Sequence, residues 1–185
     1  MKRFLFLIIP VTLVAAVYIA YPYWTLHRFE TALSKRDSAT LETLVDFEQV
    51  RNGLKADFRS YMAETMNQPK SPTGGMEDIG IVIGMTLGGI VESLIDQTVS
   101  ANGLLLVWQQ QLAANSERKL ADFVASARFQ SLTTFRVDMR NPDDPQSATL
   151  TLLLEFVGVE WRVTKVILPP NAFQAATTQA KSDMW

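Results

Sequence analysis

The chain has 185 residues, of which 17 are basic and 19 acidic, giving a net charge of −2 at neutral pH with one histidine and no cysteine. The charges are interspersed, which excludes the concentrated basic face that nucleic-acid binding needs. Missing thiols exclude a disulfide framework and cysteine-ligated metal but leave the compartment open.

Lys2 and Arg3 lead an uncharged stretch from Phe4 to Ala20, and Tyr21, Tyr23 and Trp24 follow where a membrane-interface aromatic belt would sit. As a helix, Phe4 to Trp24 rises about 30 Å, the thickness of a bilayer core, with Pro10 as a kink and Pro22 as the exit. A cleaved signal peptide shares the basic start and apolar middle. Val14 and Ala16 satisfy its small-residue rule, but a cut after Ala16 leaves a short apolar region, and a cut after Ala20 puts bulky Tyr18 where a small residue is wanted. Residues 1–24 therefore read as an uncleaved transmembrane anchor.

Flanking charge is nearly balanced, Lys2 and Arg3 before the segment against Arg28, Lys35 and Arg36 after it. The pair that abuts the apolar run places the N terminus in the cytoplasm. A single-pass protein of the inner (plasma) membrane follows, its domain facing the periplasm or exterior; cleavage would make it secreted.

The remainder is large enough for one domain, 25–170, followed by a polar, alanine-rich tail over 171–185. Its first part, 25–127, reads as helical. Phe29, Ala32 and Leu33 form one apolar set, and Leu41, Leu44 and Val45 another after a break capped by Asp37. Asp46 suits the N-cap of a third helix, with Gln49 three residues on to complete a capping box and Phe47, Val50, Leu54, Phe58 and Met62 as its stripe. Across that helix Arg51, Lys55 and Arg59 recur every four residues as a basic ridge. Such a ridge can meet an anionic headgroup or a partner, or simply face solvent, tempered by Glu48, Asp57 and Glu64.

Asn67 to Gly75 (NQPKSPTGG) ends that helix in a loop. Glu77 and Asp78 then start a helix whose Ile79 to Val91 carry no charge and whose Gly80, Gly84 and Gly88 recur every fourth residue. Helical glycines cost about 1 kcal/mol each against alanine, so they imply a groove for close packing. At about 20 Å the uncharged run is too short for a membrane span and reads as buried or interfacial. Glu92 and Asp96 sit one turn apart at its end. Ser100 caps a further helix through Leu104, Leu105, Val107, Trp108 and Leu112, and Ser116 to Ala127 holds a short last one.

From Phe129 the period changes to two, predicting a three-stranded antiparallel meander over 128–169. Phe129, Phe135, Val137 and Met139 share one side of the first strand, NPDDPQ at Asn141 to Gln146 makes a turn, and Ala148, Leu150, Leu152, Leu154 and Phe156 continue the apolar face. A two-residue turn at Gly158-Val159 pairs Phe156 with Trp161, Glu155 with Arg162 and Leu154 with Val163. The same reasoning sets Met139 against Ala148, Val137 against Leu150 and Phe135 against Leu152. The apolar face needs cover, so the fold class is α+β, with several helices packed on one side of the sheet.

The run YPYWTLHRFETALSKRDSATLETLVDFEQVRNGLK, followed downstream by RFQSLTTFRV and GVEWRVTKVILP, resembles the bacterial proteins grouped as domain of unknown function 2939. Tyr21 to Tyr23, the Asp37 break, Val45-Asp46-Phe47, Val50-Arg51, Leu54-Lys55, Trp161-Arg162 and Pro169 carry the resemblance. It implies a small envelope-associated protein of unsettled function and supplies no reaction. A helix with an Ala-Asp break before a terminal antiparallel sheet is also distantly similar to the nuclear transport factor 2-like cone, from which Gly75 to Asn115 departs by being helical.

Catalytic chemistry has few candidates. His27, the sole histidine, lies beside the expected membrane surface; Asp143-Asp144 in a turn is a poor metal cluster; and no glycine arrangement fits a phosphate loop. No catalytic residue, metal or cofactor is assigned, and a non-enzymatic protein is expected. Two functions remain. One is a membrane-tethered interaction or adaptor module of the bacterial envelope, meeting another envelope protein or a second copy through its sheet edge, basic ridge or glycine-lined helix. The other is a carrier of a lipid or other apolar molecule, held between Gly80, Gly84 and Gly88 and a sheet face bearing Phe135, Leu152 and Trp161.

Overall fold

The computed structural model describes residues 2–67, 77–114, 118–144, 146, 148–169 and 172–173, without the side chains of 2–8, 10, 66–67, 77–87 and 111–114. Among the described residues six helices precede an antiparallel meander: α1 (Lys2–Lys35), α2 (Ser38–Leu44), α3 (Phe47–Asn67), α4 (Glu77–Thr98), α5 (Ala101–Ala114), α6 (Leu120–Phe123), β1 (Val124–Phe129), β2 (Thr134–Met139), β3 (Leu150–Val157) and β4 (Glu160–Ile167). The expected loop after Asn67, and the tail apart from Ala172 and Phe173, lie outside the described residues.

Helix α1 does not leave its axis at Pro22 as expected. It continues to Lys35, because Pro22, Thr25, Phe29, Ala32 and Leu33 form one buried stripe against the domain. The helix stops where the backbone of Arg36 turns left-handed, φ 57°. The Arg36 amide then donates to Leu33 O at 3.3 Å and that of Asp37 to Ala32 O at 2.9 Å, the paired bonds of a Schellman end. Asp37 starts the next helix, its Oδ1 accepting from the Thr40 amide at 3.0 Å. These bonds, the Thr40 hydroxyl first, hold its carboxyl below the usual range.

Asp46 caps α3 as expected, accepting from the Gln49 amide at 2.9 Å. The Asp46 amide is taken by the sheet, donating to Val163 O at 2.9 Å beside a parallel bridge between Val45 and Val163. The start of α3 is thereby tied to β4, and Val50, Leu54 and Phe58 are buried beneath the helix.

The sheet has four strands in the order β1-β2-β3-β4, one more than the sequence pattern predicts. The single strand expected from Phe129 to Arg140 is broken at 130–133, where the Gln130 and Ser131 amides both donate to Thr134 O. Helix α6 covers only Leu120–Phe123, and Val124 to Ala127 of the expected helix belong instead to β1, paired with β2 from Ser126 opposite Asp138 to Phe129 opposite Phe135. The β3–β4 register is as expected: Phe156 faces Trp161, Glu155 faces Arg162 and Leu154 faces Val163. In β2–β3 the register is two residues from the expected one, with Phe135 opposite Leu154, Val137 opposite Leu152 and Met139 opposite Leu150. A shift of two keeps every side chain on its face, so the apolar layer survives.

That layer is covered by α1 and, over β4, by α3, so that more than one helix packs on the face as expected. Tyr18 meets Phe129, Phe156 and Trp161 with ring centres 5.6–6.3 Å apart, and Tyr23 lies edge-on to Phe135 at 5.0 Å. Phe135, Val137, Leu154 and Trp161 are essentially inaccessible.

Candidate functional site

Helices α3 and α4 meet along the basic ridge. Arg51 Nη1 donates to Val99 O at 2.9 Å, Lys55 Nζ lies 2.6 Å from an Asp96 carboxylate oxygen, and Arg59 binds Glu92 through Nε at 2.7 Å and Nη2 at 2.8 Å. Ascending positions on α3 match descending ones on α4, so the helices run antiparallel. Two features that are separate in the sequence, the ridge and the Glu92–Asp96 pair, are thus one zipper. Arg51 adds a cation at the negative end of α4. The hydrogen bond from Arg59 lowers the Glu92 pKa, and Glu92 raises that of Arg59. The ridge meets this chain's own carboxylates and a carbonyl.

Beyond the zipper α4 turns sharply into α5. Gly88–Thr98 and Ala101–Gln110 are bent 88° apart, and only as such a pair do they reach the length and apolarity of a membrane span; among the described residues no single helix does. Ser100 caps α5, its Oγ accepting from the Gly103 amide at 3.1 Å. The bend presses Gly103 so close to Thr98 that a Cβ there would lie 1.9 Å from its carbonyl oxygen. Among the described glycines the one demanded by packing is therefore Gly103, whereas nothing lies within 4 Å of a Cβ on Gly88. Gly80 and Gly84 lie where no side-chain surroundings are described.

Under the bend is a cavity of about 210 Å³, lined by Val50 and Leu54 of α3, Val99 and Leu104 at the bend, and Leu152 and Val166 of the sheet. The expected pocket residues divide: Leu152 lines this cavity, while Phe135 and Trp161 fill the aromatic core with Phe129, whose ring centres lie 5.0 and 5.8 Å away. Gly88 lines neither.

The three expected interface aromatics also divide. Tyr21 packs against the core and the Tyr23 hydroxyl donates to Ala127 O at 3.4 Å, leaving Trp24 outward-facing beside His27. His27 lines an open groove of about 320 Å³ with Arg28, Lys35 and Asp37. Among the described residues no three acidic or histidine side chains converge as a metal site.

One polar cluster escaped the sequence reading because β1 was missed. On the outer face of the sheet Asp138 accepts from Ser126 Oγ at 2.8 Å, Arg136 Nε at 2.8 Å and Thr151 Oγ1 at 2.7 Å. Burial pushes this carboxyl up, and the hydrogen bonds, Thr151 first, more than offset it, leaving the pKa lowered. All its partners are satisfied within the sheet, so the cluster reads as a lock joining β1, β2 and β3.

Fold and sites together define an α+β domain whose long N-terminal helix exposes Ile9, Val11, Leu13, Val14 and Val17 before it joins the core at Tyr18. The family model for proteins of unknown function DUF2939 matches residues 11–106, and the chain belongs to that family. No curated protein matches the chain, and no solved structure matches it, the nuclear transport factor 2-like cone included.

Proposed function

We propose that the protein is a single-pass, membrane-anchored, non-enzymatic interaction module of the bacterial envelope, with its domain on the periplasmic or outer side. The observation that carries this reading is the surface of α1. Ile9, Val11, Leu13, Val14, Val17 and Ile19 are each 56–68 % exposed. At roughly 100° per residue they point to every side of the helix. A protein partner covers one stripe of a helix; an apolar surface all round calls for an apolar solvent. Alkaline extraction of membranes containing the full chain tests it. The native chain stays with the bilayer and Leu13→Arg with Val17→Arg releases it; release of the native chain would overturn the anchor.

The interaction side is assigned to α4 and α5. Gly88 and Gly89 are open there, and Ile90, Leu94, Leu106 and Val107 are exposed. A photo-crosslinker at Leu94 should capture an envelope protein or a second copy, and one at Glu42 should not.

The carrier reading has one supporting observation, the apolar cavity under the α4–α5 bend. Its 210 Å³ is below the roughly 300–1,000 Å³ of ligand pockets, which favours the interaction module. Native mass spectrometry of the gently released protein separates the two, since a reproducible lipid-sized adduct would favour the carrier.

A further inference from the structure

The reading of α1 as an anchor has a geometric consequence for the domain. From Tyr18 onward one face of the helix belongs to the aromatic core, so the uncharged stretch ahead of the domain is Phe4 to Val17 rather than Phe4 to Trp24. Fourteen residues rise about 20 Å, well short of a hydrocarbon core of about 30 Å. A span this short is accommodated when the bilayer thins and flanking cations snorkel, which Lys2 and Arg3 allow at one end of α1 and the acidic flanks of the equally short run in α4, Glu77 and Asp78 with Glu92, do not.

The structure places suitable groups at the point where α1 leaves the domain. In a four-stranded meander the first and third turns lie at the same end of the sheet, and here the Phe156 amide of β3 donates to Thr133 O of the β1–β2 turn at 2.9 Å. Leu132 tips the first turn at 81 % exposure; Val159 tips the third at 77 %, flanked by Val157 at 46 %. The first turn, Gln130 to Thr133, carries no charge. Helix α1 crosses this end at Tyr18, whose hydroxyl donates to Leu132 O and whose ring packs on Phe156. The apolar tips are thus continuous with the apolar surface of α1.

We infer that Leu132, Val157 and Val159 form a membrane-contacting rim beside α1, seated on the lipid surface and fixing the sheet end-on to the bilayer. Glu160, opposite Val157 and 3.6 Å from Arg162, stands at the base of its tip and limits entry to the headgroup region. The inference rests on α1 being the anchor, and its test distinguishes the two.

Because the chain has no cysteine, single sites can be labelled in the full protein: Leu13→Cys, Leu132→Cys, Val159→Cys and, at the opposite end of the sheet, Asp144→Cys. Each carries an environment-sensitive fluorophore in phosphatidylcholine vesicles with and without spin-labelled lipid. Blue-shifted emission and quenching at 13, 132 and 159, with neither at 144, is the result expected. If 13 responds while 132 and 159 match 144, the rim is overturned and the anchor stands. If 13 also reports water, the anchor fails and the rim with it. A shift at 132 and 159 that lipid does not quench and that fades on dilution of protein in the vesicles would assign the tips to a second copy and overturn the inference.

Discussion

Arg59 holds Glu92 through two bonds, Nε to Oε1 at 2.7 Å and Nη2 to Oε2 at 2.8 Å, and so sets the register between α3 and α4. Exposed ion pairs add little net stability, but a forked pair is directional, and with Lys55–Asp96 and Arg51–Val99 beside it one antiparallel alignment is selected.

The zipper should be visible in acid. Arg59 holds the Glu92 carboxyl below the usual range, so its folded pKa is lower than its unfolded one. The contribution is therefore complete above the ordinary glutamate value of about 4.3 and is lost as pH falls through the folded value. Glu92→Gln should melt somewhat lower than the native chain at neutral pH, with the gap closing on acidification and in high salt. Thermal melts across that range check this, and a gap that widens in acid would contradict it.

Asp138, 13 % exposed, accepts from three side chains on three strands. Removing it leaves Arg136 without its carboxylate in a half-buried position, so Asp138→Ala should cost about 1–3 kcal/mol in chemical denaturation. Thr151→Ala and Ser126→Ala, which each delete one donor, should cost about 1 kcal/mol. A silent Asp138→Ala would mean that the lock contributes nothing.

Two glycines should respond in opposite directions. Gly103→Ala drives a Cβ into the Thr98 carbonyl and should destabilise by about 1–3 kcal/mol or more. Gly88→Ala meets open space and gains helix propensity, so it should stabilise by up to about 1 kcal/mol. Denaturation midpoints of the two variants, measured side by side, decide this.

Arg36 occupies the left-handed position that ends α1, where a side chain is strained and glycine is not. Arg36→Gly should raise stability by about 0.5 kcal/mol, the relief of strain exceeding the greater freedom of glycine in the unfolded chain. A lower melting temperature would show that the Arg36 side chain makes a compensating contribution.

What local chemistry controls was legible in the sequence. Asp37 and Asp46 cap helices because a carboxylate reaches an amide three residues on, whatever the rest of the chain does. The β3–β4 register followed from a two-residue turn whose first position, Gly158, has φ 66°. The longer β2–β3 connection could not set its register, and the apolar face fixed only its parity, hence the shift of two. Strand β1 was missed because Val124–Phe129 is short and its alternation weak; its place is set by pairing with β2.

The sequence by itself determined that Phe4 to Ala20 are apolar and helical, that Asp37 and Asp46 start helices, and that an apolar sheet face must be covered. Only the tertiary structure decided that α1 enters the core at Tyr18, that the basic ridge meets Glu92 and Asp96, and that Gly103 is crowded where Gly88 is open. The physical reason is range: caps and tight turns are closed by atoms a few residues apart, whereas Arg59 and Glu92, or Tyr18 and Trp161, meet only after the helices have chosen where to bury their stripes.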